Sequence, residues 1–345
     1  MKQVRPKKNL GQHFLVDLNI AKRIADTVDE PFADLPVLEV GPGMGVMTQF
    51  LTEKPRPLKV VEIDRESVEY LKEKFPEFSR GEEDESRCQE EISRYEVRGT
   101  RYENTSAAAS SGEGNLVPRT SNLVPRKNVP LKDEPRKATP RKDRAIISGD
   151  FLRMDLTEVF GGQPFVLTGN YPYDISSQIF FKMLDNKELI PCCTGMIQHE
   201  VAVRMAAQPG NKQYGILSVL IQAWYDVEYL FTVEPGVFNP PPKVQSAVIR
   251  MTRNQVTDLG CDWPLFRRVV KTVFNQRRKM LRVSLRQLVD KDASLFLRPS
   301  EQASPIVAER TLHASLLTLR PEQLTIPQFV ELTNLVAAEL SQESK

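Results

Sequence analysis

A chain of 345 residues has room for two domains, and a composition that is 40% hydrophobic and 27% charged is that of a soluble protein with a real core. A net charge of only +2 leaves the choice of partner to where the charges cluster. No apolar run approaches the length needed to cross a membrane, and the basic N-terminus has no apolar stretch behind it, which excludes a secretory signal. The four cysteines (Cys88, Cys192, Cys193, Cys261) form no C-x-x-C pair and the three histidines are scattered, which argues against a structural zinc site and a disulfide framework, and a reducing cytoplasm is expected.

In chain order, residues 37–40 read as a short apolar strand, 41–45 as a glycine turn and 46–51 as a helix. A second strand at 59–63 and a second helix at 67–75 follow, a pattern that predicts a parallel sheet covered by helices. The pattern then breaks. Residues 79–144 are rich in Glu, Arg, Ser and Pro, with an acidic run, a Ser/Ala/Gly tract and a near-repeat of Asn-Leu-Val-Pro-Arg. So few large apolar groups cannot offset chain entropy, and the stretch reads as a disordered insertion; an inert loop is preferred to the alternative that the same stretch is an RNA- or protein-binding arm. Strands are expected to resume at 145–148 and 165–168, then a helix at 175–184, part of a strand at 196–198, a buried helix at 214–224, and strands near 227–233 and 246–251. A polar link, 253–260, precedes a basic helical region. The last helix, near 327–340, has Thr325 as its N-cap and Phe329, Leu332, Val336 and Leu340 on one face.

Four features carry chemistry. Glu39-Val40-Gly41-Pro42-Gly43-Met44-Gly45 follows a strand, where glycines let the backbone turn tightly and approach a ligand, although the same turn can be purely structural. Glu62 ends the next strand, where an acid accepts from ribose hydroxyls of a nucleoside ligand, be it NAD or S-adenosylmethionine; Asp64 competes for that role but reads better as a helix N-cap. Asp150 ends the third strand and can accept from an adenine amino group, or cap the turn at Phe151-Leu152. Asn170-Tyr171-Pro172-Tyr173 follows the fourth strand, at the ligand-facing edge of a doubly wound sheet. The lone pair of an adenine amine is delocalised into the ring. Two acceptors on its hydrogens, the Asn170 side chain and a backbone carbonyl, favour a pyramidal and more nucleophilic nitrogen. Pro172 shapes the turn without an N–H to compete, and Tyr173 can stack on the base. The bland alternative is an ordinary β-turn.

These features occur in an order that resembles the KsgA-type ribosomal RNA adenine dimethyltransferases. The resemblance adds Lys8-Asn9-Leu10-Gly11-Gln12-His13-Phe14-Leu15 at the N-terminus, Phe238-Asn239-Pro240-Pro241-Pro242-Lys243-Val244-Gln245-Ser246-Ala247-Val248, and Phe274-Asn275-Gln276-Arg277-Arg278-Lys279-Met280-Leu281. It covers almost the whole chain except 79–144. It implies an α/β fold: a Rossmann-like class I methyltransferase sheet in residues 1–253, and a small helical RNA-binding domain in 262–345. It implies S-adenosylmethionine as cofactor. Gln12, His13, Phe14 and Leu15 would close over it, Gly41, Gly43 and Gly45 would approach its methionine part, Glu62 would hold the ribose, and Asp150 with Phe151 the adenine. Asn170, Tyr171, Pro172 and Tyr173 would orient the target base, Asn170 also bordering the cofactor, with Phe238 on the other face of the base. Tyr171 departs from the family's usual Leu or Ile, so its ring must find room.

The expected reaction is dimethylation of N6 of two adjacent adenines near the 3′ end of small-subunit ribosomal RNA during ribosome assembly, in the cytoplasm, by a monomer with no obligate protein partner and no metal. Lys7, Lys8, Lys243, Arg277, Arg278 and Lys279 are the candidate RNA contacts, since clustered positive charge attracts phosphate. Three rivals differ in class or target: a large-subunit methyltransferase, a non-catalytic ribosome-assembly or transcription factor on the same fold, and a nicotinamide dehydrogenase, which would have no use for Asn-x-Pro-Tyr.

Overall fold

A computed structural model describes residues 4, 6–7, 12–78, 144–289 and 315–343. Lys8, Gly11 and all but the last residue of the expected insertion lie outside them.

The chain begins with a two-residue strand, β1 (Phe14–Leu15), and a helix, α1 (Leu18–Asp26). The α1 N-terminus is capped by Asp17, whose carboxylate accepts from the backbone N–H of Asn19 and Ile20, and its buried face is Ala21, Ile24 and Ala25. The expected strand–helix alternation follows as β2 (Val37–Val40), α2 (Thr48–Leu51), β3 (Leu58–Glu62), α3 (Arg65–Lys74), β4 (Arg144–Ser148), α4 (Leu156–Val159), β5 (Val166–Asn170), α5 (Ser176–Asp185) and β6 (Cys192–Gln198). Then come α6 (His199–Ala206), α7 (Ile216–Gln222), β7 (Tyr225–Val233), β8 (Phe238–Asn239) and β9 (Ser246–Arg253), and finally α8 (Trp263–Asn275), α9 (Leu281–Ser284) and α10 (Ile326–Glu343). Two expectations shift. The helix predicted over 46–51 starts only at Thr48, because the positive φ of Gly45 holds the preceding residues in a turn. The buried helix predicted over 214–224 shortens to α7, while Tyr214 remains fully buried beside it.

Seven strands form one sheet in the order β4-β3-β2-β5-β6-β9-β7. β4, β3, β2, β5 and β6 run parallel, and β9 is antiparallel to both neighbours. Every residue of β2 is buried, as expected for a parallel strand covered on both faces. Successive residues feed opposite cores: Val37 and Leu38, Val166 and Leu167, Cys192 and Cys193 are split between two buried clusters. Arg144, at the start of the edge strand β4, marks where the chain returns to the sheet after the undescribed stretch. That is the end opposite Ser148, where the strand runs out toward Asp150.

One of the two clusters runs on into the C-terminal helices. The buried stripe of α8 (Phe266, Val269, Val270, Val273, Phe274) meets Phe329, Leu332 and Val336 of α10, and belongs to the same cluster as Leu220 of α7 and Trp224. Phe274 stacks on Phe329 at 5.9 Å between centroids, and Trp263 meets Trp224 edge-on at 5.5 Å. The proposed division between 253 and 262 therefore falls in a polar link across which the apolar core is continuous. As expected, the last helix follows a Thr325 cap, whose hydroxyl accepts from the Gln328 N–H.

Candidate active site

The parallel strands end at a cavity of about 270 Å³. Turns after β2, β3, β4 and β5 line it, the position where a doubly wound sheet binds its ligand. After β2, Gly41 and Gly43 have φ of 69° and 55° and lie on the cavity wall. A Cβ at Gly43 would come within 3.0 Å of the Phe14 ring. Gly45 differs from the expectation. It is not on the wall, and a Cβ there would collide with Phe75 and Leu71, so its glycine is needed for packing against α3.

Glu62, at the end of β3, is almost fully buried and lines the cavity. One carboxylate oxygen accepts from the Gly43 N–H at 3.0 Å and the other from the Asp64 N–H at 3.0 Å. Its side chain thus ties the glycine turn to the start of α3 and still has lone pairs for ribose hydroxyls. Burial raises its pKa, partly offset by those two donors. Asp64 is the α3 N-cap, accepting from the Ser67 N–H and hydroxyl. Lys7, expected at RNA, instead pairs with Asp64 at 2.5 Å and with Glu66 at 3.0 Å.

Asp150 performs the capping role with one oxygen, accepting from the Leu152 N–H at 2.9 Å, and both it and Phe151 line the cavity. In the turn after β5, the Asn170 amide nitrogen donates to the His13 carbonyl at 3.2 Å. The His13 ring stacks on Tyr173 at 5.7 Å, and its Nδ1 lies 2.9 Å from the Pro240 carbonyl. The Tyr173 hydroxyl meets that of Ser246 at 2.5 Å. Gln12, His13, Phe14 and Leu15 line the cavity and form its roof. They are held there by an antiparallel pairing of β1 with β8 that sets Leu15 opposite Phe238. Phe238 departs from its assignment: it is 4% exposed, off the cavity wall, and packed in the core behind β1.

The ring of Tyr171 finds its room behind the wall, between the glycines of two neighbouring strands. A Cβ at Gly195 would fall within 2.7 Å of that ring, and one at Gly169 within 3.1 Å. Its hydroxyl donates to the Thr194 carbonyl at 3.0 Å, and its backbone N–H to the Met196 carbonyl at 3.0 Å. Among the remaining RNA candidates, Lys243, Arg278 and Lys279 are exposed. Arg277 is half-buried, donating to the Asn211 carbonyl and lying 3.9 Å from Glu322. Residues 277–279 form the turn after α8 and not a helix face.

One wall residue stands in the glycine motif without an assigned role. Glu39 is buried in the middle of β2, where it accepts from the Thr48 hydroxyl at 2.7 Å. An acid inside an otherwise apolar strand was the available signal. Burial, with the Glu62 charge nearby, pushes its pKa from 4.5 up to about 8, so it is a neutral acid at pH 7. The folded state then holds a proton that the unfolded state has released between these values. Stability should fall as pH rises from 4.5 to 8, by up to about 1.4 kcal/mol per pH unit. Glu39→Gln should remove that slope, measured by urea unfolding across the range; parallel curves for the two proteins would contradict a neutral Glu39.

A glycine turn after the first sheet strand, an acid ending the second, and a cavity at the ends of the parallel strands make a site for a nucleoside-bearing cofactor such as S-adenosylmethionine. The residues fit that cofactor: a buried acid faces the cavity beside Gly43, a second acid and an aromatic ring close its other side, and the rest of the wall is largely apolar. The model of the ribosomal RNA adenine dimethylase family matches residues 3–82 and 130–313, and the chain belongs to that family. Residues 83–129, most of the expected insertion, fall between the two matched stretches. The chain is 51% identical to ribosomal RNA small subunit methyltransferase A of Phocaeicola vulgatus, over 99% of this chain and 93% of that one. It is 52% identical to the protein of that name from Bacteroides fragilis, over 97% and 94%. A dimethyladenosine transferase structure from Plasmodium falciparum shares the fold at a TM-score of 0.60 and 18% identity, over 96% of this chain and 98% of that one. The structure of the 23S rRNA methyltransferase ErmE does so at 0.54 and 21%, over 94% and 99%. The methyl donor is S-adenosylmethionine. Among the described residues no helix is long and apolar enough to cross a membrane.

Proposed function

We propose that the protein dimethylates N6 of two adjacent adenines near the 3′ end of small-subunit ribosomal RNA, acting as a monomer on an immature particle in the cytoplasm. The observation that carries this reading is the Asn170 amide. With its nitrogen donating to the His13 carbonyl, its oxygen is left as the acceptor, the role an incoming adenine amine requires.

S-adenosylmethionine supplies a methyl group on a cationic sulfur, a good leaving group, so the protein's contribution is positioning. Glu62 holds the ribose and keeps the glycine turn in register through Gly43. Asp150 and Phe151 hold the adenine end. Asn170 takes one hydrogen bond from the target amine, and the backbone carbonyl of Tyr171 a second. That pair favours a pyramidal nitrogen whose lone pair is free to attack. Tyr173 offers its face to the base, which must leave its stack to enter. Phe238 supports the roof from behind instead of stacking. Lys243, Arg278 and Lys279, together with exposed Arg268 and Lys271 on α8, supply a phosphate-binding surface.

Tritium transfer from S-adenosylmethionine to immature small subunits tests the proposal. Two methyl groups on each of two adjacent adenines are expected, with none on large subunits. Label on large-subunit RNA, or none on either, would refute it.

A further inference from the structure

α5 begins directly after the Asn170–Tyr173 turn, and its buried face (Ile179, Phe180, Met183, Leu184) fixes it against the sheet. From that fixed helix Lys182 reaches sideways. Its ammonium donates to the Leu152 carbonyl at 3.1 Å and to the Met154 carbonyl at 2.5 Å, and lies 5.8 Å from the centroid of the Phe151 ring. The same short turn is held from its other side by Asp150, which accepts from the Leu152 N–H. Leu152 is thus gripped at both its N–H and its carbonyl. The acids around the ammonium, Asp150, Asp155 and Asp185, lie beyond ion-pair contact, while partial burial lowers its pKa. Its defined partners are the two carbonyls.

We infer that Lys182 is a positioning residue for the nucleobase end of the cofactor pocket, holding the 150–154 turn so that Asp150 and Phe151 present a preformed adenine site. The turn closes on two backbone hydrogen bonds of its own, from the Arg153 N–H to the Asp150 carbonyl at 3.0 Å and from the Met154 N–H to the Phe151 carbonyl at 3.3 Å. The Leu152 and Met154 carbonyls go to the Lys182 ammonium, and a charge-assisted donor on a rigid helix ties this single turn to α5. Because Lys182 stands on the helix that follows the catalytic turn, one helix sets the distance between the nucleobase site and Asn170. This rests on the reading that Asp150 and Phe151 hold the cofactor adenine.

The test is calorimetric titration of S-adenosylhomocysteine and of adenosine into the full chain carrying Lys182→Met, Lys182→Arg or Asp150→Ala. Lys182→Met keeps the stem and removes the donors. It should weaken both ligands by the same factor, roughly tenfold, since both carry the adenine. The turnover rate at saturating S-adenosylmethionine should stay within twofold of wild type, and Lys182→Arg should recover most of the affinity. Unchanged affinity in Lys182→Met while Asp150→Ala weakens it would overturn the inference and leave the adenine site intact. Unchanged affinity in Asp150→Ala would overturn the adenine reading itself. Normal affinity with a depressed turnover rate would also overturn the inference, since Lys182 would then act on the catalytic turn alone. If Lys182→Met does not fold, Lys182→Gln serves in its place, judged by the same ratios.

Discussion

Replacing Asn170 by Ala should lower the methyl-transfer rate by about 10²–10³-fold, the loss seen when one preorganised polar group is removed from a reacting centre. The side chain lines the cavity, is proposed to face the amine, and among the described residues makes its hydrogen bond to the His13 carbonyl, so its removal should act mainly in the transition state. Folding should survive. Binding of RNA should be unaltered, and cofactor affinity should fall by no more than roughly a few-fold, the cost of one ordinary hydrogen bond beneath the roof. Asn170→Asp separates the two roles: it keeps an acceptor oxygen but loses the donor that orients it, and it should be nearly as slow. Single-turnover kinetics on immature subunits measure the rate, and calorimetry the affinities. A near wild-type rate would show that the turn is structural and the active site lies elsewhere.

The second large effect is expected at Glu62, and it falls on binding. Glu62→Ala removes a carboxylate that accepts the Gly43 and Asp64 N–H groups and is assigned the ribose. Losing charge-assisted hydrogen bonds worth roughly 1.5–3 kcal/mol should weaken S-adenosylmethionine by about 10–150-fold. RNA affinity should not change. Glu62→Gln still offers one oxygen and should fall between. Calorimetry that finds all three proteins equal would remove Glu62 from the cofactor site.

The sequence made the parallel strands β2, β3, β4 and β5 legible because they are short apolar runs that end at Gly41, Glu62, Asp150 and Asn170, the residues assigned to the site. It hid α1 and α6, whose amphipathic stripes run over only nine and eight residues. Gly45 and Phe238 show a different limit. A motif records that a residue type is required, and a glycine needed for helix packing looks the same as one needed by a ligand. Lys7 was assigned to RNA because it lies in a basic run, but its partners, Asp64 and Glu66, are more than fifty residues away along the chain. Tyr171 is the reverse case. Its ring looked hard to place until β6 supplied Gly195 beside it, a pairing that no local pattern connects. Glu39 is named in the glycine motif, but its burial within β2 depends on strands that flank it on both sides and so is not written locally.

The pairing of β1 with β8 also bears on when the enzyme becomes active. The roof over the cavity is made well before the strand that holds it, which contains Phe238 and Asn239. β6, one strand beyond the catalytic turn, waits for β9 to complete its other edge. At about 5–20 residues per second, roughly ten to fifty seconds separate synthesis of the roof from synthesis of its support. A nascent chain can lay down the glycine turn, Glu62 and Asn170 early, but it cannot close them over a cofactor. An enzyme whose substrate is the machinery of translation thus stays open and idle until β8 has been made.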